Sequence, residues 1–301
     1  MRSGLLVALL IVPFAGIAAQ APALERFTVT ADGHPLALWA RRPANPKGVI
    51  LLLHGRTWSA LPDFDLQVTG ESRSVLANLA ARGYAAYALD LRGYGATPRD
   101  SIGWLTPLRA AEDVRQVIAW IAARHKGEPR PVLLGWSNGA LVAQLVAQLH
   151  GEQLSALVLY GYPWDPDEHV AEEDDSSAVG HQANSASDAA GDFRSPRVTS
   201  RRMVAAYVAA AIKADPVFAE WRGLEQWNAL NPARVRIPTL LLQGEFDPEP
   251  RDALKRTFGR LGTRDKDWVT LKGGDHAALL EDTKPTFVDA IVGFLEKQKR
   301  N

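Results

Sequence analysis

Cysteine is absent from the 301 residues. That excludes disulfides, thiolate metal sites and cysteine nucleophiles together, so any nucleophile in this chain must carry oxygen or nitrogen. An excess of either charge is also missing, with 34 Lys and Arg against 34 Asp and Glu. No long-range field favours a polyanion or an anionic membrane surface, and nucleic acid is not expected as a partner. Long apolar runs are missing except at the start. There, Arg2 precedes the apolar stretch Leu5 to Ala19, which is interrupted by Pro13 and Gly16 and followed by small residues. This is shorter than the ~20 residues needed to span a bilayer and has the layout of an export signal. The expectation is a signal over residues 1–23, a mature domain over 24–301, and a periplasmic or secreted protein with no membrane attachment after cleavage. Cleavage after Ala18, Ala21 or Ala23 fits the small-residue pattern.

Alternating elements fill the rest. Arg26 to Thr30 and Leu36 to Arg41 read as an antiparallel hairpin around Ala31-Asp32-Gly33-His34. Gly48 to Leu53, Tyr84 to Leu89, Pro131 to Leu134, Ala156 to Tyr160 and Pro238 to Leu242 are apolar without alternation, as strands covered on both faces should be. Ser72 to Arg82, Pro107 to Arg124, Gly139 to Leu149 and Pro285 to Lys297 carry helical periodicity, and Trp268 to Leu271 reads as a last strand. Strands alternating with helices predict an α/β fold with a mostly parallel central sheet flanked by helices. About 165–236 breaks the alternation. Its first part is polar and includes Glu172-Glu173-Asp174-Asp175, and Val198 to Leu230 is helical in pattern. We expect an insertion that serves as a lid before the next strand.

One motif carries chemistry. Pro131 to Leu134 runs into Gly135-Trp136-Ser137-Asn138-Gly139 and then into a helix. This is the strand, tight turn and helix required of a nucleophile elbow, where flanking glycines admit a strained serine. A serine hydroxyl needs a base that a carboxylate orients. His276 follows Gly273-Gly274-Asp275, and Asp247 lies in Gly244-Glu245-Phe246-Asp247, each in a loop after a strand. Such loops build the active sites of open α/β sheets. Glu245 and Asp275 are rival acids. His125 and His150 end helices, His34 sits in the hairpin turn, and His169 and His181 lie in the polar insertion. Ahead of the elbow, His54-Gly55-Arg56-Thr57 leaves a buried strand. A backbone N–H of Arg56 or Thr57, with that of Asn138, would hold a developing oxyanion, and His54 would fix the loop. Thr57, Trp58, Trp136 and Trp164 follow strand ends and are candidate pocket residues.

Together Leu53-His54-Gly55, Asp90-Leu91-Arg92-Gly93-Tyr94-Gly95, the elbow, Gly244 to Asp247 and Gly273 to His276 resemble the α/β-hydrolase superfamily from about Arg26 onward. The resemblance implies a Ser137, His276, Asp247 triad, a lid before the acid-bearing strand, and no metal or organic cofactor. It implies cleavage of a small ester through an acyl-enzyme. Amidase, peptidase, lactonase, thioesterase and carbon–carbon hydrolase chemistry stay open, as does a ligand-binding protein without catalysis. In that superfamily an aspartate replaces the serine for dehalogenase and epoxide hydrolase chemistry.

Overall fold

A computed structural model describes residues 21–172, 178–195 and 197–300. The expected export signal lies outside them up to residue 20, as does the acidic run beyond Glu172.

Eight strands form the central sheet: β1 (Glu25–Ala31), β2 (His34–Arg41), β3 (Val49–Leu53), β4 (Ala85–Leu89), β5 (Val132–Trp136), β6 (Ala156–Tyr160), β7 (Thr239–Gly244) and β8 (Lys266–Leu271). Their order is β1-β2-β4-β3-β5-β6-β7-β8. β2 is antiparallel to both neighbours, and the pairs from β4 to β8 are parallel. The hairpin turns on Asp32 and Gly33, both at positive φ (48° and 70°), which suits the twist of the flanking strands.

The apolar runs divide by residue parity. Val49, Leu51 and Leu53 enter a cluster under the helices Pro107–Arg124 and Asn138–His150. Ile50 and Leu52 enter the opposite cluster, under Val75–Ala81 and Lys284–Gln298. Two covered faces explain why those strands show no polar alternation. Helix starts are set locally: Ser74 accepts from Ala77 N and Thr106 from Arg109 N, so the first of these helices begins three residues after the apolar pattern does.

Residues 161–238 form an insertion between β6 and β7. It contains the helices Ala186–Gly191 and Arg201–Ala214, and Glu220–Trp221, which pairs in parallel with Trp104–Leu105. The helical pattern from Val198 to Leu230 is therefore divided. The helix stops at Ala214 because Pro216 disfavours helical backbone at Asp215, whose carboxylate also bonds outside the helix. The segment Leu224–Ala229 is a 3₁₀ turn. Asp165 and Asp167 tie the start of the insertion to Arg256 and Arg260 on the helix Arg251–Arg260. Among the described residues no helix is long and apolar enough to cross a membrane.

Candidate active site

Ser137 follows β5 with φ 55° and ψ −123°, and it shares positive φ among non-glycine residues only with Asp32 among those described. Two close approaches explain the motif's glycines. A Cβ on Gly135 would stand 2.2 Å from Gly139 O, and one on Gly139 would stand 2.4 Å from His54 O. Side chains there would drive helix, strand and preceding loop apart. Ser137 N donates to Tyr160 O at 2.9 Å, which fixes the elbow against the end of β6.

Gly161, the residue just after β6, reaches the histidine. It has φ +55°, and a Cβ there would lie 2.8 Å from His276 Cε1 and 3.4 Å from Asp247 Oδ2. Only the missing side chain lets the imidazole sit at this strand end. His276 Nδ1 lies 3.0 Å from Asp247 Oδ1. A carboxylate accepts, so Nδ1 carries the proton and Nε2 is left with its lone pair. The Trp136 indole N–H donates to His276 O at 2.9 Å, with the two rings 5.7 Å apart. Burial opposes the His276 imidazolium, but the hydrogen bond to Asp247 and the charges of Asp247, Glu249 and Asp192 outweigh it, and the pKa rises.

The rival carboxylates have other tasks. Glu245 Oε2 accepts from Gly273 N at 2.8 Å, bracing the histidine loop from outside. Asp275 is fully buried and accepts from Arg194 N, Ser195 N and Ala277 N at 2.8–2.9 Å. It thus joins the insertion to that loop. Asp247, whose side chain is wholly buried, is the one of the three that contacts His276. Its Oδ2 has no hydrogen-bond partner among the described residues.

On the other side of Ser137, a Cβ on Gly55 would lie 3.7 Å from Ser137 Cβ, so the His54 loop abuts the elbow. His54 Nδ1 faces Gly55 O at 2.8 Å and Nε2 accepts from Leu91 N at 3.1 Å. Those partners fix the neutral tautomer, and burial lowers its pKa to about 4. It is a brace for the loop. The backbone N–H groups of Arg56, Thr57 and Asn138 have no acceptor among the described residues. Arg56 itself is exposed, and its guanidinium lies over Phe218.

Of the candidate pocket residues, Trp58 and Trp136 are buried in one cluster, and the Trp58 indole lies beside Asp192. Thr57 is half-buried. Trp164 is buried in the cluster on the opposite face of the sheet. Sequence reasoning passed over Gly161 and Asp192. Asp192 lies in the insertion, and burial lifts its pKa to about 6 against the charge of His276 and the Trp58 and Tyr207 donors beside it. Asp247, Glu249 and His276 place ligand atoms within 4.8 Å of one another. A metal there would have to displace the proton between His276 and Asp247.

Residues 44–283 match the model of a hydrolase family described as serine aminopeptidase, S33. The chain belongs to this hydrolase family. No curated protein matches the sequence. Several solved structures share the fold. A thioesterase domain from the curacin biosynthetic pathway has TM-score 0.65 at 20% identity, covering 90% of this chain and 99% of its own. The CarC serine hydrolase of carbazole degradation has TM-score 0.65 at 18% identity, covering 91% and 99%. The Vigna radiata epoxide hydrolase VrEH1 has TM-score 0.62 at 18% identity, covering 91% and 98%. The α/β-hydrolase fold expected from the motifs is thus the fold of this S33 family member.

Proposed function

We propose that the protein hydrolyses carboxylic esters of small molecules through an acyl-enzyme. The observation that carries this reading is His276, hydrogen-bonded to buried Asp247 and seated on Gly161 at the strand end that also holds Ser137 N. His276 Nε2 takes the Ser137 proton as Oγ attacks the carbonyl carbon, and Asp247 holds the ring and stabilises the imidazolium. The oxyanion forms opposite the N–H of Asn138 and that of Arg56 or Thr57, which stabilise charge that exists only during reaction. His276 then protonates the departing alcohol; water, deprotonated in turn by His276, attacks the acyl carbon, and His276 returns that proton to Ser137 Oγ as the acid leaves. Trp136 packs against His276, and with Thr57 and Trp58, which follow the His54 loop, it is the proposed apolar pocket for an acyl or alcohol group; Trp164, in the cluster on the opposite face of the sheet, is the weakest pocket candidate. The reaction requires no metal or organic cofactor.

Hydrolysis of p-nitrophenyl acetate tests this directly: Ser137→Ala should abolish turnover with the fold retained, and unchanged turnover would refute it. A second reading is amide cleavage beside a free amino group. Asp192 and Glu249 near His276 favour it, as does the description of the matched family. A panel of aminoacyl p-nitroanilides against p-nitrophenyl esters separates the two. We also propose export with removal of the apolar N-terminus. An intact mass starting between residues 19 and 24 in the exported protein is the expected result.

A further inference from the structure

The backbone of residues 54–60 is gripped from the insertion, more than a hundred residues away in sequence. Asp215, at the end of the helix Arg201–Ala214, accepts from Ser59 N at 2.8 Å and Gly95 N at 2.7 Å. Earlier on that helix, Tyr207 donates to Asp63 Oδ1 at 2.9 Å, and Asp63 Oδ2 accepts from Gly55 N at 3.4 Å. The Trp221 indole N–H donates to the Tyr94 hydroxyl at 2.8 Å, and that hydroxyl donates to Arg56 O. Asp63, Tyr94 and Tyr207 are fully buried, and Asp215 and Trp221 nearly so.

These are costly contacts to build. Carboxylates removed from water must recover their hydration through hydrogen bonds, and burial raises the pKa values of both Asp63 and Asp215. What the bonds hold is a short loop whose own N–H groups at Arg56 and Thr57 stay unpaired among the described residues. A loop with free donors and no regular structure needs outside bonds to keep a single conformation. Asp215 takes the Ser59 peptide directly, whereas Tyr207 reaches Gly55 N through Asp63 and Trp221 reaches Arg56 O through Tyr94, so the three routes end on different peptide groups and fix the loop's orientation as well as its distance from Ser137.

We propose that Tyr207, Asp215 and Trp221 are positioning residues that set the geometry of the oxyanion loop. The insertion helix is then a fixed clamp, not a lid that swings free of the loop. The inference rests on the reading of residues 54–57 as the oxyanion loop. An error of about 1 Å in such a donor costs up to ~100-fold in rate. The donors act on charge that develops after binding, so the loss belongs in kcat and not in KM.

The test combines p-nitrophenyl acetate kinetics with amide hydrogen exchange on the full chain. Tyr207→Phe and Asp215→Asn should each lower kcat by ~10- to 100-fold with KM within about twofold. Exchange should quicken over residues 55–60 while the helix Asn138–His150 keeps its protection. Met203→Leu, a change of similar volume on the same buried helix face, should leave both readouts as in the wild type. Wild-type kcat and unchanged exchange in Tyr207→Phe, or a loss confined to KM, would overturn the proposal. If the wild type does not cleave the ester, ester hydrolysis fails as the function, and the exchange of residues 55–60 in Tyr207→Phe still decides whether the clamp exists.

Discussion

Asp247 Oδ1 and His276 Nδ1 lie 3.0 Å apart, joined by loops that leave adjacent parallel strands, β7 and β8. The contact depends on Gly244, where a Cβ would stand 2.3 Å from Asp275 O, so the two loops close on each other only over a glycine. Of Asp247, Glu245 and Asp275 it is Asp247 that contacts His276, so under the proposed reaction mutation should rank the three with Asp247 first. Asp247→Asn should lower kcat by about 10³- to 10⁴-fold, since the ring loses the partner that fixes its tautomer. Glu245→Gln should stay within ~10-fold, because its carboxylate only braces Gly273 N. Steady-state kinetics on one ester would reassign the acid if Glu245→Gln showed the larger loss.

Asp275→Asn should act on stability. Its two oxygens accept three backbone N–H groups, and an amide replaces one acceptor by a donor facing a donor. The expected cost is about 1–3 kcal/mol, read from denaturant unfolding. A variant as stable as the wild type would contradict the role assigned to Asp275.

His276 should set the acid limb of the rate profile. The reaction uses the neutral ring, and the raised pKa keeps the imidazolium present to a pH above 6.5. Activity should therefore rise with pH through an apparent pKa above 6.5. Removing a neighbouring charge by Asp192→Asn or Glu249→Gln should move that limb to lower pH. A limb already below 6.5 in the wild type would contradict the assignment.

Gly161 gives a steric prediction. Gly161→Ala places a methyl 2.8 Å from His276 Cε1 on a residue held at φ +55°. The left-handed backbone alone costs about 1–2 kcal/mol. The imidazole must also move, so kcat should fall by at least ~100-fold. Kinetics beside a melting curve would show both effects, and a fully active Gly161→Ala protein would mean that His276 is not held as described.

A separate pH effect should appear in stability. Burial and the charge of Asp275 push Glu281 up to about 8, from an ordinary 4.5. A raised folded-state pKa gives stability that is present below 4.5 and lost as pH rises through about 8. Asp90 and Asp192, both raised to about 6, add the same sign at lower pH. Glu281→Gln should flatten the decline in melting temperature between pH 5 and 8. A decline as steep as in the wild type would assign the loss to other groups.

The sheet was legible because its strands β3 to β7 are apolar runs separated by helical periods, and five motifs mark the loops that follow its strands. Asp247 and His276 were legible for the same reason, as polar residues in glycine-rich loops after buried strands. The supports were not. Asp63 sits in a five-residue helix and looks like a surface acid, yet it is fully buried because Tyr207, 144 residues later, bonds it. Asp215 falls inside the helical pattern read from Val198 to Leu230, and nothing local says that its oxygens reach Ser59 and Gly95. Gly161 belongs to no motif; its meaning is the imidazole packed on it. Local pattern records burial and turns, whereas these contacts exist only once distant segments meet.

The central claim is that Ser137 is an activated nucleophile. Intact-mass analysis after exposure to a fluorophosphonate tests it most directly. The account predicts one phosphonyl adduct per chain, mapped to the peptide containing Ser137, fast in the wild type and absent in Ser137→Ala. An unlabelled wild type, or an adduct that persists in Ser137→Ala, would contradict it.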